Sequence, residues 1–448
     1  MTPSDFQRRV LFITYAFPPV GGAGVQRVTK FVKYLPGFGW TPSILTPSNP
    51  SVPVLDSSLS SDIPGDTIVR RARTFEPSYA LKNLVSAGSG ERSGHRFAAL
   101  RAAKDAVRHT LIRMLHPDPQ VLWYPAGVRA GRRLLKDVRH EAIIVTGPPF
   151  STFLIGAALH RETGLPLVLD YRDEWGLANR FLENKGYGRL AVRFQSVMQR
   201  RVVRKASAIV ATTASSAGTL TRIRDDAGGT ARVLCIHNGF DPDDFARPAP
   251  PARRDSRYRI VYAGTLWNLT SVAPLIDAVS ALCRQSPEVA ARLELVLAGR
   301  RTTDQQRTLT RLLETPVHVV EHNYMAHDLV LDLMRSADVL CALLTDAPGA
   351  ERVLPGKIFE YMACRRPILA IAPPGDLWQV LEDYPAAHRY EPSDVGGITA
   401  FLARRLQEFE TSATKQAIMW DDPRYNRREQ ARTLAGLLSD ITGSSPGS

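Results

Sequence analysis

A single carboxylate stands on a short helix otherwise built for burial, in Pro355-Gly356-Lys357-Ile358-Phe359-Glu360-Tyr361-Met362-Ala363-Cys364-Arg365-Arg366-Pro367. Ile358, Phe359 and Met362 recur at helical spacing, Pro367 ends the helix, and Ile368–Ala372 reads as a fully buried parallel strand. Glu360 is therefore one strand from a sheet end, where ligands of open α/β sheets collect. A carboxylate placed there accepts hydrogen bonds from hydroxyl groups. Lys357 and Arg352 lie close by in sequence, and Arg300 follows Gly299; cations at such a place suit the binding of an anionic group. Gly21 and Gly22 sit in Phe17–Gly24, a loop stripped of side chains, where a phosphate can approach backbone N–H groups at a helix start. Gly264 and Thr265 end a strand in the second half in the same way. In Asp170-Tyr171-Arg172-Asp173-Glu174-Trp175, Arg172 can pair with either aspartate as a structural turn; alternatively Asp173 or Arg172 lines a binding cleft. Asp241-Pro242-Asp243 has the spelling of a metal-binding turn but is read as structural.

The elements that position these residues repeat a pattern. Arg9–Thr14 is a buried strand, a helix carries Val28, Phe31, Val32 and Leu35 inward, and Pro42–Thr46 is a second strand, which makes a βαβ start. Thr67–Arg71, Ala142–Thr146, Leu167–Asp170, Ala208–Thr212 and Ala231–Ile236 follow as strands, with Ser151 placed to cap a helix running to about His160. Ser86–Gly94 is a Gly/Ser-rich loop. After a Pro/Arg-rich linker the pattern restarts with Arg259–Gly264 and Leu293–Gly299, both ending in glycine, then Val317–Glu321, Val339–Leu344 and Ile368–Ala372. Arg427–Ile441 is helical, with Ala431, Leu434, Leu437 and Leu438 apolar. The expected division is 1–241, a linker 242–257, 258–415, and a terminal helical segment 416–448 that returns to the first domain.

With 448 residues, 44% of them hydrophobic, the chain can build two or three cores. No apolar run reaches the roughly 20 residues of a membrane span. Met1–Arg9 is polar and does not read as a signal peptide. The four cysteines form no CxxC pair and the ten histidines no HxxxH or HxH cluster, so reduced thiols and no metal site are expected. The net charge of +13 is uneven: Arg70–His140 holds 15 Lys/Arg against 5 Asp/Glu, and Arg189–Lys205 holds six basic residues and no acid. With no nucleic-acid motif present, an anionic membrane surface is the better specific partner, a solvated face the plainer one. Phe97, Leu100, Val107, Leu111 and Leu115 lie near one stripe of a basic amphipathic helix, which fits either a membrane or the protein's own core.

Five elements in order resemble retaining glycosyltransferases of family 4, over nearly the whole chain: the loop Phe17–Arg27, the turn Asp170–Trp175, His237-Asn238-Gly239-Phe240-Asp241, Tyr262-Ala263-Gly264-Thr265, and the Glu360 helix. The Asp170 turn is similar to that of a bacterial subgroup that builds surface polysaccharides. The resemblance implies the α/β GT-B fold, two Rossmann-like domains with parallel sheets facing across a cleft. It implies a hexosyltransferase-type enzyme that moves a sugar from a nucleotide-sugar donor to a carbohydrate or lipid-linked acceptor with retention. Neither metal nor other cofactor is expected, and the site of action is cytoplasmic or peripheral at the inner membrane face. Glu360 would hold the donor ribose; Gly21, Gly22, Gly264, Thr265, Arg300, Arg352 and Lys357 complete the donor site, and Asp173 and Arg172 stand as the catalytic pair. Two departures matter. The family's first glutamate, seven residues between it and the second, falls on Arg352, with Glu351 out of register; and the usual Arg and Lys after the donor domain's first strand are missing from Gly264–Leu269. A GT-B nucleotide-sugar epimerase and a catalytically inactive, membrane-associated binding protein are the rival readings.

Overall fold

The computed structural model describes residues 8–52, 55–77, 79, 115–181, 188–246, 248, 257–411 and 418–443. The Ser86–Gly94 loop, nearly all of the Phe97–Leu115 stripe and most of the 242–257 linker lie outside the described residues. The chain forms two compact units, Met1–His237 together with Arg427–Ser448, and Asn238–Asn426.

The first unit is built on a seven-stranded, all-parallel sheet: β1 (Arg8–Ile13), β2 (Trp40–Pro47), β3 (Ile68–Ala72), β4 (Ala142–Gly147), β5 (Leu167–Tyr171), β6 (Ala208–Ala211) and β7 (Arg232–Cys235), in the order β3-β2-β1-β4-β5-β6-β7. Its central strands are apolar on both faces because helices cover both. Leu11 and Ile13 pack with the helices Tyr124–Asp137, Ser151–Thr163 and Arg189–Val203. Val10 and Phe12 pack on the other side with Val28, Phe31 and Val32 of the helix Ala23–Tyr34. The helix Arg427–Ile441 joins that second layer through Ala431, Leu434, Leu437 and Leu438, and Ser439 Oγ meets Trp40 Nε1 at 3.4 Å.

The second unit holds six parallel strands: β8 (Tyr258–Ala263), β9 (Leu293–Ala298), β10 (His318–His322), β11 (Val339–Leu343), β12 (Ile368–Ile371) and β13 (Ala387–Tyr390), in the order β10-β9-β8-β11-β12-β13. Ile260, Leu295, Cys341 and Leu369 form one core with Leu275, Val279 and Leu282 of the helix Ala273–Gln285 and Ile398, Phe401 and Leu402 of the helix Val395–Thr411. Each chain half lays its first three strands to one side, then returns beside its first strand to lay the rest on the other. The reversal falls between β1 and β4 in one sheet and between β8 and β11 in the other. In open α/β sheets the loops diverge at such a reversal, and ligands collect there at the carboxyl ends of the strands.

One expectation fails locally. Ser151 opens its helix but does not cap it, and Phe150 holds the cap position. The Ser151 N–H instead donates to Asp118 Oδ2 at 3.0 Å, so a distant buried carboxylate takes the cap's part, while Ser151 Oγ stays buried without a partner.

Candidate functional site: two strand-end crevices

In the second unit the Glu360 helix, Lys357–Ala363, is bound to the end of β8. Tyr361 Oη accepts from the Ala263 N–H at 2.8 Å and lies 3.4 Å from the Ala263 carbonyl oxygen, one residue before Gly264. Ile358, Phe359 and Met362 are buried, which fixes the helix against the unit. Glu360 is in its first turn, 4% exposed, where a carboxylate gains from the helix dipole. Its Oε2 pairs with Lys357 Nζ, a half-buried cation one turn earlier. Two residues assigned to separate donor groups are thus an ion pair at the β8–β11 reversal.

Gly264 and Thr265 continue from β8, with Thr265 exposed. The Thr265 carbonyl accepts from Thr270 Oγ1 at 2.6 Å and from Tyr262 Oη at 3.1 Å, so the turn is held from behind. Burial raises the Tyr262 and Tyr361 hydroxyls far above the ordinary tyrosine value, so both stay neutral donors. Gly299 closes β9 at φ +138, and a Cβ there would stand 2.0 Å from the Gly264 carbonyl oxygen. That approach, with Leu266 N–H to Arg300 O at 2.9 Å, sets Arg300 beside the Thr265 turn. Arg300 is exposed, and its side chain has no hydrogen bond or ion pair among the described residues. Its neighbour Arg301 is structural: it meets Glu321 at 3.1 Å and the carbonyls of Gly299 and His322 at 3.0 Å each. Arg352 ends the short turn Ala350–Arg352, in which Glu351 accepts the Gly349 N–H at 2.8 Å. A separate cavity of about 450 Å³ lies at the far end of the Glu360 helix, by Ala363 and Cys364, away from these groups.

In the first unit Gly22, at φ +100, turns the loop after β1 into the helix Ala23–Tyr34, whose start has no side-chain cap. Only glycine holds that angle without strain, and the first amides are left to other partners. Gly21 is half-buried beside it. Arg172 settles an alternative left open by sequence: its guanidinium donates to the carbonyls of Gly24 and Pro148, not to Asp170 or Asp173. It therefore ties the first turn of the helix Ala23–Tyr34 to the loops after β4 and β5 at the reversal point. Its Nε is buried without a partner, and burial pulls its pKa down, opposed by Asp173 and Asp170. Asp173 is exposed as a residue, while burial of its carboxyl group pushes its pKa up, with Arg172 opposing.

Asp170 belongs to Arg27. The Arg27 guanidinium donates to Asp170 Oδ1 at 2.8 and 3.0 Å and to the His237 carbonyl at 2.8 Å, and Thr146 Oγ1 donates to Asp170 Oδ2 at 2.9 Å. Arg27 is 1% exposed. The signal was present in the sequence: Arg27 shares the inward stripe with Val28 and Phe31, and a charge on such a stripe needs a buried partner. Asp241, in the Asp-Pro-Asp turn, accepts the Asp243 N–H at 3.0 Å and caps the helix Pro242–Phe245. Among the described residues no group of three or more His, Cys, Asp or Glu is arranged to hold a metal ion, and no helix is long and apolar enough to cross a membrane.

A glycosyl transferase 4-like domain matches residues 22–239, and a glycosyl transferases group 1 domain matches residues 257–406. No curated protein sequence matches the chain. Among solved structures, Anabaena HepE in complex with UDP and glucose is 16% identical over 97% of both chains, with a TM-score of 0.53. Sucrose-phosphate synthase of Thermosynechococcus elongatus is 14% identical over 97% of this chain and 96% of its own, with a TM-score of 0.53. WaaG, a glycosyltransferase involved in lipopolysaccharide biosynthesis, is 14% identical over 97% and 98%, with a TM-score of 0.55. At these identities the structures speak for the fold, and the two domain matches for the family. With two parallel sheets, each reversing its strand order beside its first strand, the chain belongs to the GT-B glycosyltransferases, with a family 4-like first domain and a group 1 second domain.

Proposed function

We propose that this glycosyltransferase takes a nucleotide-diphosphate sugar on the second unit and moves the sugar, with retention and without a metal, to a carbohydrate acceptor carried on a lipid. The observation that carries the reading is Glu360, a buried carboxylate in the first turn of a helix bound to the end of β8 at the sheet's reversal point. A ribose seated there would donate hydrogen bonds from its hydroxyl groups to the Glu360 carboxylate. The diphosphate would meet Lys357 and Arg300, with Arg352 in the position of the family's first glutamate. HepE, with its UDP and glucose, makes a uridine donor the first to try.

In the reaction the bond from the anomeric carbon to the diphosphate breaks, and the acceptor oxygen attacks on the same face. Its proton passes to the departing phosphate oxygen. Cations and backbone N–H groups stabilise the charge that develops on the leaving group. Arg172 and Asp173 would stand on the acceptor side. Arg172 acts by tying the start of the helix Ala23–Tyr34 to the loops after β4 and β5; Asp173, an exposed residue, would take a hydrogen bond from an acceptor hydroxyl.

The experiment is release of nucleoside diphosphate from a panel of nucleotide sugars, with and without acceptor glycans and with EDTA. Acceptor-dependent release that survives EDTA is expected. Interconversion of the donor without any acceptor would point to an epimerase, silence with every donor to a binding protein, and activity abolished by EDTA but restored by Mg²⁺ would remove the metal-free account.

A further inference from the structure

The helix Arg189–Val203 has one face inside the first unit and one outside it. The inner face is fixed: Gln195, 3% exposed, accepts from Trp175 Nε1 at 2.9 Å and meets His116 Nδ1 at 3.2 Å, and Val202 and Val203 are buried in the core. The outer face does not follow the usual polar rule. Leu190 is 85% exposed, Phe194 53% and Val197 40%. Their spacing of four and then three residues puts them on one stripe. Arg193, Arg200, Arg201 and Arg204 are exposed on or beside that stripe, and no acidic residue occurs between Arg189 and Lys205. Phe194 meets the His116 ring edge-on at 5.6 Å, yet three adjacent large apolar side chains left largely in water are costly, and four arginines around them repel one another. Both costs disappear against a surface that is apolar within and negatively charged at its rim. A protein partner with an acidic rim would have to supply that combination by design; an anionic leaflet has it as a bulk property.

We infer that this helix lies in the headgroup region of an anionic membrane, Leu190, Phe194 and Val197 inserted at the level of the acyl chains and the arginines among the lipid phosphates. The inference deepens the reading of a lipid-carried acceptor by naming the docking face, yet its test needs neither donor nor acceptor. Failure of one is therefore distinguishable from failure of the other.

The full chain is sedimented with vesicles of phosphatidylcholine alone and of equal parts phosphatidylcholine and phosphatidylglycerol. Binding is expected only to the anionic vesicles, strongest at low salt, since added ions screen the attraction. Leu190→Ser/Phe194→Ser/Val197→Ser should lower the partition coefficient at least about tenfold, and Arg193→Ser/Arg200→Ser/Arg201→Ser/Arg204→Ser should do likewise. All seven positions are exposed, and an unchanged melting temperature certifies the variants. In Phe194→Trp, the emission added over wild type should be quenched by lipids brominated on the acyl chain. The inference is overturned if wild type ignores anionic vesicles at low salt, if both sets of substitutions leave binding unchanged, if the added tryptophan is not quenched, or if the face retains a soluble polyanion such as heparin but no vesicle.

Discussion

At Glu360 the proposed binding role and an observed structural one meet in one side chain. Replacing it with alanine would remove the proposed ribose acceptor and also strip half-buried Lys357 of its partner, so lost affinity and lost stability would arrive together. Glu360→Gln keeps the shape and an acceptor oxygen while removing the charge. It is expected to weaken donor binding by about 1–1.5 kcal/mol, the difference between a hydrogen bond to a charged and to a neutral acceptor. Calorimetric titration with a uridine diphosphate sugar measures this, and unchanged affinity in a folded variant would remove Glu360 from the donor site. Arg27 is the contrasting case, a buried pair away from that carboxylate. Arg27→Ala leaves Asp170 charged and enclosed, which should cost about 3–5 kcal/mol in urea unfolding, while Arg27→Met/Asp170→Leu should recover most of it. Equal losses in the single and the double variant would show that the pair itself, not the orphaned charge, carries the stability. These two residues also show what a sequence discloses of a site. Glu360 was legible because an apolar helix carried one acid. The partners of Arg172 and Asp170 were not, because they come from residues 143 and 148 positions away in the chain, Arg27 for Asp170 and the Gly24 carbonyl for Arg172. Neighbouring opposite charges in Asp170–Asp173 suggested a local pairing that the strand geometry does not make.

At the scale of elements, the buried strands were plain from continuous apolar runs, and β1, β4, β5, β9, β11 and β12 fall within a residue or two of where those runs lie. The edge strand β13, Ala387–Tyr390, was not visible, because a half-exposed edge of Ala-His-Arg-Tyr has neither run nor alternation. The cap of the Ser151 helix failed for a related reason: local pattern cannot reveal that Asp118 arrives from elsewhere. The junction of β8 and β9 is the most exacting element. Gly299 combines a positive φ with a 2.0 Å conflict between any Cβ and the Gly264 carbonyl. Gly299→Ala should therefore destabilise by more than the roughly 1–3 kcal/mol of backbone strain alone. It should also displace Arg300 and Thr265, so donor affinity falls with stability. A variant with wild-type unfolding would mean that the two turns separate without penalty.

For the whole molecule, the response to acid follows from two histidines. Burial lowers the pKa of His140, with Arg9 adding to the effect and the Val138 carbonyl opposing it; burial likewise lowers that of His388, with Arg405 and Arg404 adding. In the unfolded chain both titrate near 6.5. Below that value the unfolded state takes up protons that the folded state refuses, so stability should fall as pH drops through about 6.5 and be restored above it. His140→Gln should flatten this slope in the first unit, and His388→Gln in the second. Unfolding curves between pH 7.5 and 5.5 test it, and a slope unaltered in both variants would assign the loss to other groups.

The helix Arg427–Ile441 completes the first unit only after all of the second has been made. On the ribosome, Val28, Phe31 and Trp40 must therefore wait, uncovered on one side, through the synthesis of nearly two hundred further residues. The second unit is continuous and has no such delay. The nascent chain should thus finish its later half first, and its earlier half should be the client of chaperones, released when the last helix emerges. Placing a stop codon after Asn426 would leave that client without release, and the product should be recovered in aggregates with a folded second unit within them.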